Sequence, residues 1–151
     1  MNKNQVMVVV YQGKKTILII DNQTNTREIL QICLTDFAAW NVLLESSLSE
    51  GLQQAKLYQP DAVVFDFSVR EDDVFWFAQK LRMQQSTEKI PVLLLTLTAK
   101  WLDLQLFQQN QVSIVVVNPF DLSQLPVQIS QMLGWIEEGV TESPSHRVRR
   151  K

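Results

Sequence analysis

The sequence predicts an α/β protein: a five-stranded parallel sheet, doubly wound, in which a βα unit repeats five times. Two observations predict it. Short apolar runs alternate with longer stretches of helical spacing almost without interruption. The short runs also lack polar alternation, as strands covered on both faces require. A third observation concerns chemistry: Thr16-Ile17-Leu18-Ile19-Ile20 stops on Asp21, and Ala62-Val63-Val64-Phe65 stops on Asp66.

Each element follows in order. Thr16–Ile20 is the first strand, after which Thr24 or Asn25 can cap a helix carrying Ile29, Leu30, Cys33, Leu34 and Phe37 on one face. Val42–Leu44 is a weak second strand. Ser47 or Ser49 starts a helix through Leu52, Ala55 and Tyr58, which Pro60 stops. Ala62–Phe65 is the third strand, followed by a polar loop and a helix from about Asp73 through Phe77 and Leu81. Pro91 opens a fourth strand, Val92–Leu95, and a fourth helix is expected near Ala99–Gln109. There Ala99, Leu102 and Leu106 form a core-facing stripe at i, i+3, i+7, and Trp101 and Leu104 fall off it. Ser113–Val117 is the fifth strand, Asn118-Pro119 breaks it, and Asp121 or Ser123 starts a helix past Leu125, Ile129, Met132 and Leu133.

Around this core, residues 1–13 read as an N-terminal arm or an extra edge strand, 14–136 as the domain, and 137–151 as a disordered tail with a basic end, His146-Arg147-Val148-Arg149-Arg150-Lys151. A chain of 151 residues suits one domain with its own core, and 46% apolar with 20% charged residues is the composition of a soluble globular protein. The formal net charge of −2 gives no general attraction to nucleic acid or anionic lipid. Cys33, the only cysteine, excludes an intramolecular disulfide and a thiolate metal cluster, and its spacing makes it a small core residue. No signal-peptide pattern and no membrane-length apolar run occurs, so a cytoplasmic setting is expected.

Ligands of open parallel sheets sit beyond the carboxyl ends of the strands, where strand order reverses. The residues leaving those ends are Asp21-Asn22, Asp66, Thr96 and Asn118. Two carboxylates, a hydroxyl and carboxamides in one cleft suit a hard cation such as Mg²⁺, and a carboxylate beside such a cation can attack a phosphoryl group. Taken singly, an Asp at a strand-to-helix junction is more often a helix cap. No Gly-rich phosphate loop follows the first strand, and the sole histidine, His146, lies in the tail, which excludes a His-based triad or zinc site. The acidic run Glu71-Asp72-Asp73 reads as a solvated loop with a helix cap.

The segments "ILIIDN", "PDAVVFD", "IPVLLLTLTAK" and "VVVNPFD" resemble the receiver domain of two-component response regulators, over about Lys14 to Trp135. The resemblance implies the flavodoxin-like fold. It also implies Asp66 as the acceptor of phosphate from a histidine kinase or phosphotransfer protein, Asp21 and Asn22 with Asp66 around Mg²⁺, and Thr96 as the switch hydroxyl. The chain departs from the family pattern at four positions. One of the acid pair is Asn22, and the Lys of the strand-five Lys-Pro is Asn118. Arg70 stands at the usual Pro after the acceptor, and Val74 at the usual Gly of the next helix. An amide keeps a carbonyl donor but loses charge, so the metal should bind less tightly.

The expectation is therefore a non-enzymatic, single-domain atypical receiver that relays a signal by protein contact, with phosphorylation on Asp66. The alternative is a phosphorylation-independent pseudo-receiver, a binding or dimerisation module. A small doubly wound enzyme is poorly supported, since no general base with a partner is visible beyond the two acids. With receiver-like proteins commonly using the fourth helix to meet partners, Trp101 and Leu104 mark the expected surface for a downstream protein or a second copy.

Overall fold

The structure, a computed structural model, describes residues 5–11, 14–21, 30, 31, 33–35, 39–66 and 68–142. Its strands are β1 (Gln5–Tyr11), β2 (Thr16–Ile20), β3 (Asn41–Glu45), β4 (Ala62–Phe65), β5 (Val92–Thr96), β6 (Val112–Val116) and β7 (Ile136–Glu142). Its helices are α1 (Leu48–Tyr58), α2 (Glu71–Arg82), α3 (Leu104–Gln109) and α4 (Leu125–Leu133). Of the helix expected after β2, residues 30, 31 and 33–35 are helical, with Leu30, Cys33 and Leu34 buried; its expected caps, Thr24 and Asn25, lie outside the described residues.

Five strands form one all-parallel sheet in the order β3-β2-β4-β5-β6. The chain winds outward from β2 in both directions, so the order reverses between β2 and β4. Side chains alternate across the sheet, as a strand's period of two dictates. Leu18, Ile20, Val63, Phe65 and Leu94 pack under α1 and α2 with Phe77 and Leu81. Ile17, Ile19, Val64, Leu93 and Leu95 pack on the other face with Leu34, Trp40, Leu125 and Ile129. That is why these runs are apolar at every position. β3 lies at the sheet's edge and is only partly buried, which explains its weak sequence signature.

The helices carry their own start and stop signals. Ser47 caps α1 by accepting from the Glu50 amide at 3.2 Å, and Gln59 leaves the helix in the left-handed region just before Pro60. Gly51 lets α1 lie close on the sheet, because a Cβ there would meet Ile20 Cδ1 at 2.6 Å. α2 begins on Glu71, Asp72 and Asp73 and ends on Lys80 and Arg82, charges that complement its dipole. Arg82, half-buried, donates to the Ile90 carbonyl at 2.7 Å and to Gln111 Oε1 at 3.0 Å; its burial lowers the guanidinium pKa from the ordinary value.

Two segments differ from the sequence reading. The fourth helix starts at Leu104 rather than near Ala99, because Asp103 caps it by accepting from the Leu106 amide at 3.2 Å. The core side chain is then Phe107, and Leu106 is exposed, so the Ala99, Leu102, Leu106 stripe does not exist as a helix face. Residues 136–142, of which 137–142 were expected within a structureless tail, form β7 and pair antiparallel with β1 from Tyr11↔Ile136 to Gln5↔Glu142. The pairing satisfies backbone groups on two segments that neither sheet edge uses. The basic cluster from His146 onward lies outside the described residues. Among the described residues no helix is long and apolar enough to cross a membrane.

Phe77 is fully buried and meets Phe65 edge-to-face at 5.1 Å between ring centroids. Phe77→Ala should therefore lower stability by about 3–5 kcal/mol, read as a reduced urea midpoint with native secondary structure retained at zero denaturant.

Candidate functional site

Register builds the site. β2 and β4 pair with Ile20 opposite Phe65, and the Asp66 amide donates to the Ile20 carbonyl at 3.4 Å. The next residue on each strand is an acid, so Asp21 and Asp66 emerge side by side at the carboxyl end of the sheet, beside the point where strand order reverses. Both are fully buried.

Ser68 joins them. Its hydroxyl lies 2.6 Å from Asp66 Oδ2 and 3.4 Å from Asp21 Oδ1, and its backbone amide donates to Asp66 Oδ2 at 3.2 Å. A hydroxyl has one proton, so the short contact takes it and the longer one is a weak second approach. Asp66 Oδ1 is buried with no hydrogen-bond partner. Such an atom costs free energy in a dry site unless a donor or a cation meets it.

The other expected residues behave differently. Thr96 Oγ1 donates to the Thr98 carbonyl at 2.8 Å and accepts from the Thr98 amide at 3.3 Å, so its hydroxyl is tied to its own loop. Asn118 is exposed, and its Oδ1 accepts from the Phe120 amide at 3.0 Å. Neither is hydrogen-bonded to the acid pair. Asn22 lies outside the described residues. Arg70, the cation nearest in sequence, is exposed and approaches Asp72 at 3.8 Å. Ser68 is the residue that sequence reasoning missed; its position two residues after Asp66 was the only available sign.

The donors fit a hard divalent cation in part. Asp66 Oδ1 supplies an unshared carboxylate oxygen and Asp21 lies beside it, but among the described residues no cluster of three or more His, Cys, Asp or Glu side chains forms a metal site. Mg²⁺ accepts few protein ligands and keeps its waters, so two carboxylates support weak binding.

The sheet order and the helices covering it are those of the CheY-like, flavodoxin-like receiver fold. In sequence the chain is similar to response regulators. It is 25% identical over 118 residues to the response regulator Rre1 of Synechocystis, covering 78% of this chain and 51% of that protein. It is 27% identical over 117 residues to the DNA-binding transcriptional regulator RpaA of the same organism, covering 78% and 48%. The chain thus spans about half the length of the curated relatives it matches. Among solved structures, the chemotaxis protein CheY4 of Vibrio cholerae superposes with a TM-score of 0.68 at 22% identity, covering 79% of this chain and 98% of that one. The receiver domain of a sensor histidine kinase from Pseudomonas aeruginosa gives 0.66 at 18% identity, covering 81% and 99%, and holds magnesium in its active-site cleft. No family model matches the chain.

Titration with Mg²⁺ or Mn²⁺, followed by NMR, should show a weak response centred on the ends of β2 and β4. Asp66→Asn should abolish it, and a response that survives both Asp21→Asn and Asp66→Asn would remove the assignment.

Proposed function

We propose that this receiver accepts a phosphoryl group on Asp66 and relays the change through protein contacts in the cytoplasm, without enzymatic turnover of its own. The observation that carries the reading is the buried, unshared Asp66 Oδ1 next to Asp21. In the transfer, a carboxylate oxygen of Asp66 forms the new P–O bond, and the donor's P–N or P–O bond breaks with its electrons on the leaving group. Mg²⁺ bound by Asp21 and Asp66, with Asn22 as a carbonyl donor, would neutralise charge on the phosphoryl oxygens. The donor is a histidine kinase or phosphotransfer protein. Because Asp66 is fully buried, the segment after it must shift to admit the group. Thr96 would then exchange its contacts with Thr98 for the phosphoryl group.

A second reading, a phosphorylation-independent pseudo-receiver, has its own support. Asp66 is fully buried, and Asn118, standing where the family has a cation, is occupied with its own turn. Incubation with a small phosphodonor and Mg²⁺, read by intact mass, separates the two. The first reading expects one added phosphoryl group, lost in Asp66→Asn and increased in Asn118→Lys, with Asn22→Asp adding non-additively in the double variant. No labelling in any folded variant favours the pseudo-receiver.

The contact surface in either reading centres on Trp101 and Leu104. They are 82% and 56% exposed, in the turn before α3 and at its first residue. Large apolar groups held in water at this density suit an interface. Trp101→Glu/Leu104→Glu should keep the native circular dichroism and abolish partner capture; an unfolded double variant would instead make both residues structural.

A further inference from the structure

A cavity opens between the first turns of α1 and α2, at the carboxyl end of the sheet. β2 and β3 end level, with Ile20 opposite Glu45 and the Asp21 amide donating to the Glu45 carbonyl at 3.0 Å. The chain leaves β3 through Ser46 and Ser47 into α1, and it leaves β4 through Ser68 and Val69 towards α2. The space between these exits, about 240 Å³, is lined by Ile20, Ser46, Ser47, Leu48, Val69 and Asp73. Neither Asp21 nor Asp66 lines it.

Its walls are of two kinds. Ile20, Leu48 and Val69 are apolar, and all three belong to the core packing under α1 and α2. Ser46, Ser47 and Asp73 are polar and have bonding capacity to spare. Ser47 Oγ accepts from the Glu50 amide at 3.2 Å and keeps a second lone pair. Among the described residues the side chains of Ser46 and Asp73 make no hydrogen bond or ion pair, although Asp73 is half-buried. Arg70, three residues before Asp73, approaches Asp72 instead. The bordering first turns add Glu50, Glu71 and Asp72, and these acids outweigh two helix N-termini of about half a charge each.

This chemistry narrows the occupant. An anion meets the Asp73 carboxylate and is repelled. A neutral apolar molecule strips water from Asp73 and leaves it unpaired, which costs free energy. A hard divalent cation needs several oxygen ligands and its own waters, and three of the six lining residues are apolar. A protonated amine on a short alkyl body meets both kinds of wall: the methylenes lie on Ile20, Leu48 and Val69, and the ammonium donates to Asp73 and to the serine hydroxyl oxygens. The volume lies below the about 300–1,000 Å³ of drug-sized sites, which suits a free small molecule of a few non-hydrogen atoms. We propose that this cavity binds a small alkylammonium ion, held by Asp73. The bound amine rests on Val69, whose own amide donates to the Asp66 carbonyl at 3.1 Å, so occupancy reaches the loop that carries Ser68.

The probe is n-pentylamine at neutral pH, added to the full chain and followed by amide NMR, with pentanol as its uncharged match. Binding predicts saturable shifts at Ser46, Ser47 and Asp73 that extend through Val69 to Ser68, and an affinity for pentanol at least about tenfold weaker. Asp73→Asn should weaken pentylamine binding at least about tenfold, whereas Glu71→Gln, outside the cavity, should change it by less than about threefold. No saturable shift overturns the proposal, and so does equal affinity for pentanol. Binding that is lost in Asp66→Asn but kept in Asp73→Asn puts the amine on the acid pair and also overturns it. A lysine-containing tripeptide is the last arm: saturable shifts with the peptide and none with pentylamine make the cavity a seat for a partner's side chain, against the proposal. Should Asp73→Asn fail to fold, the shift map and the pentanol comparison on the unaltered chain decide.

Discussion

The pairing of β2 with β4 sets everything at the carboxyl end of the sheet. Once Ile20 stands opposite Phe65, the following residues emerge as neighbours, and both are acids with no exposed surface. A slip of one residue would turn every side chain on the strand to the opposite face. The two apolar layers forbid that slip, since Phe65 and Ile20 belong with α1 and α2 while Val64 and Ile19 belong to the other face. Core packing thus brings two buried carboxyl groups out at adjacent strand ends. A buried carboxylate oxygen without a hydrogen-bond partner costs free energy. Ser68 answers part of it with one hydroxyl.

Much of this was legible in the sequence because parallel strands buried on both faces leave an unambiguous mark. β2, β4 and β5 read as continuous apolar runs, and Asp21 and Asp66 stood out by ending them. What could not be read was side-chain direction in the loops. Thr96 and Asn118 each satisfy a backbone group two residues on, a local choice that no spacing rule reveals. Ser68 lay in a loop with no periodicity, and its bond to Asp66 depends on a turn in which the Val69 amide donates to the Asp66 carbonyl at 3.1 Å.

The segment before α3 shows a different reason for error. Apolar residues at helical spacing from Ala99 onward resemble a helix, yet Asp103 satisfies the amide of Leu106 and fixes the start there. Leu102 still packs against the core, but from a turn. Phe107 then fills the space under the sheet and meets Phe75 at 4.8 Å between ring centroids. Capping decided over periodicity, and the large apolar side chains in water are Trp101 in the turn and Leu104 and Leu106 in the helix itself.

The ribbon of β1 and β7 has a consequence for the order in which the chain assembles. It joins residues 5–11 to 136–142, so its formation closes a loop containing the entire parallel sheet. Closing so long a loop in an unfolded chain is entropically unfavourable, and contacts of such separation form late. Folding of the intervening sheet shortens the span and brings the two segments within reach. Because the ribbon is a sheet of its own, opening it would leave every ladder of the five-stranded sheet in place.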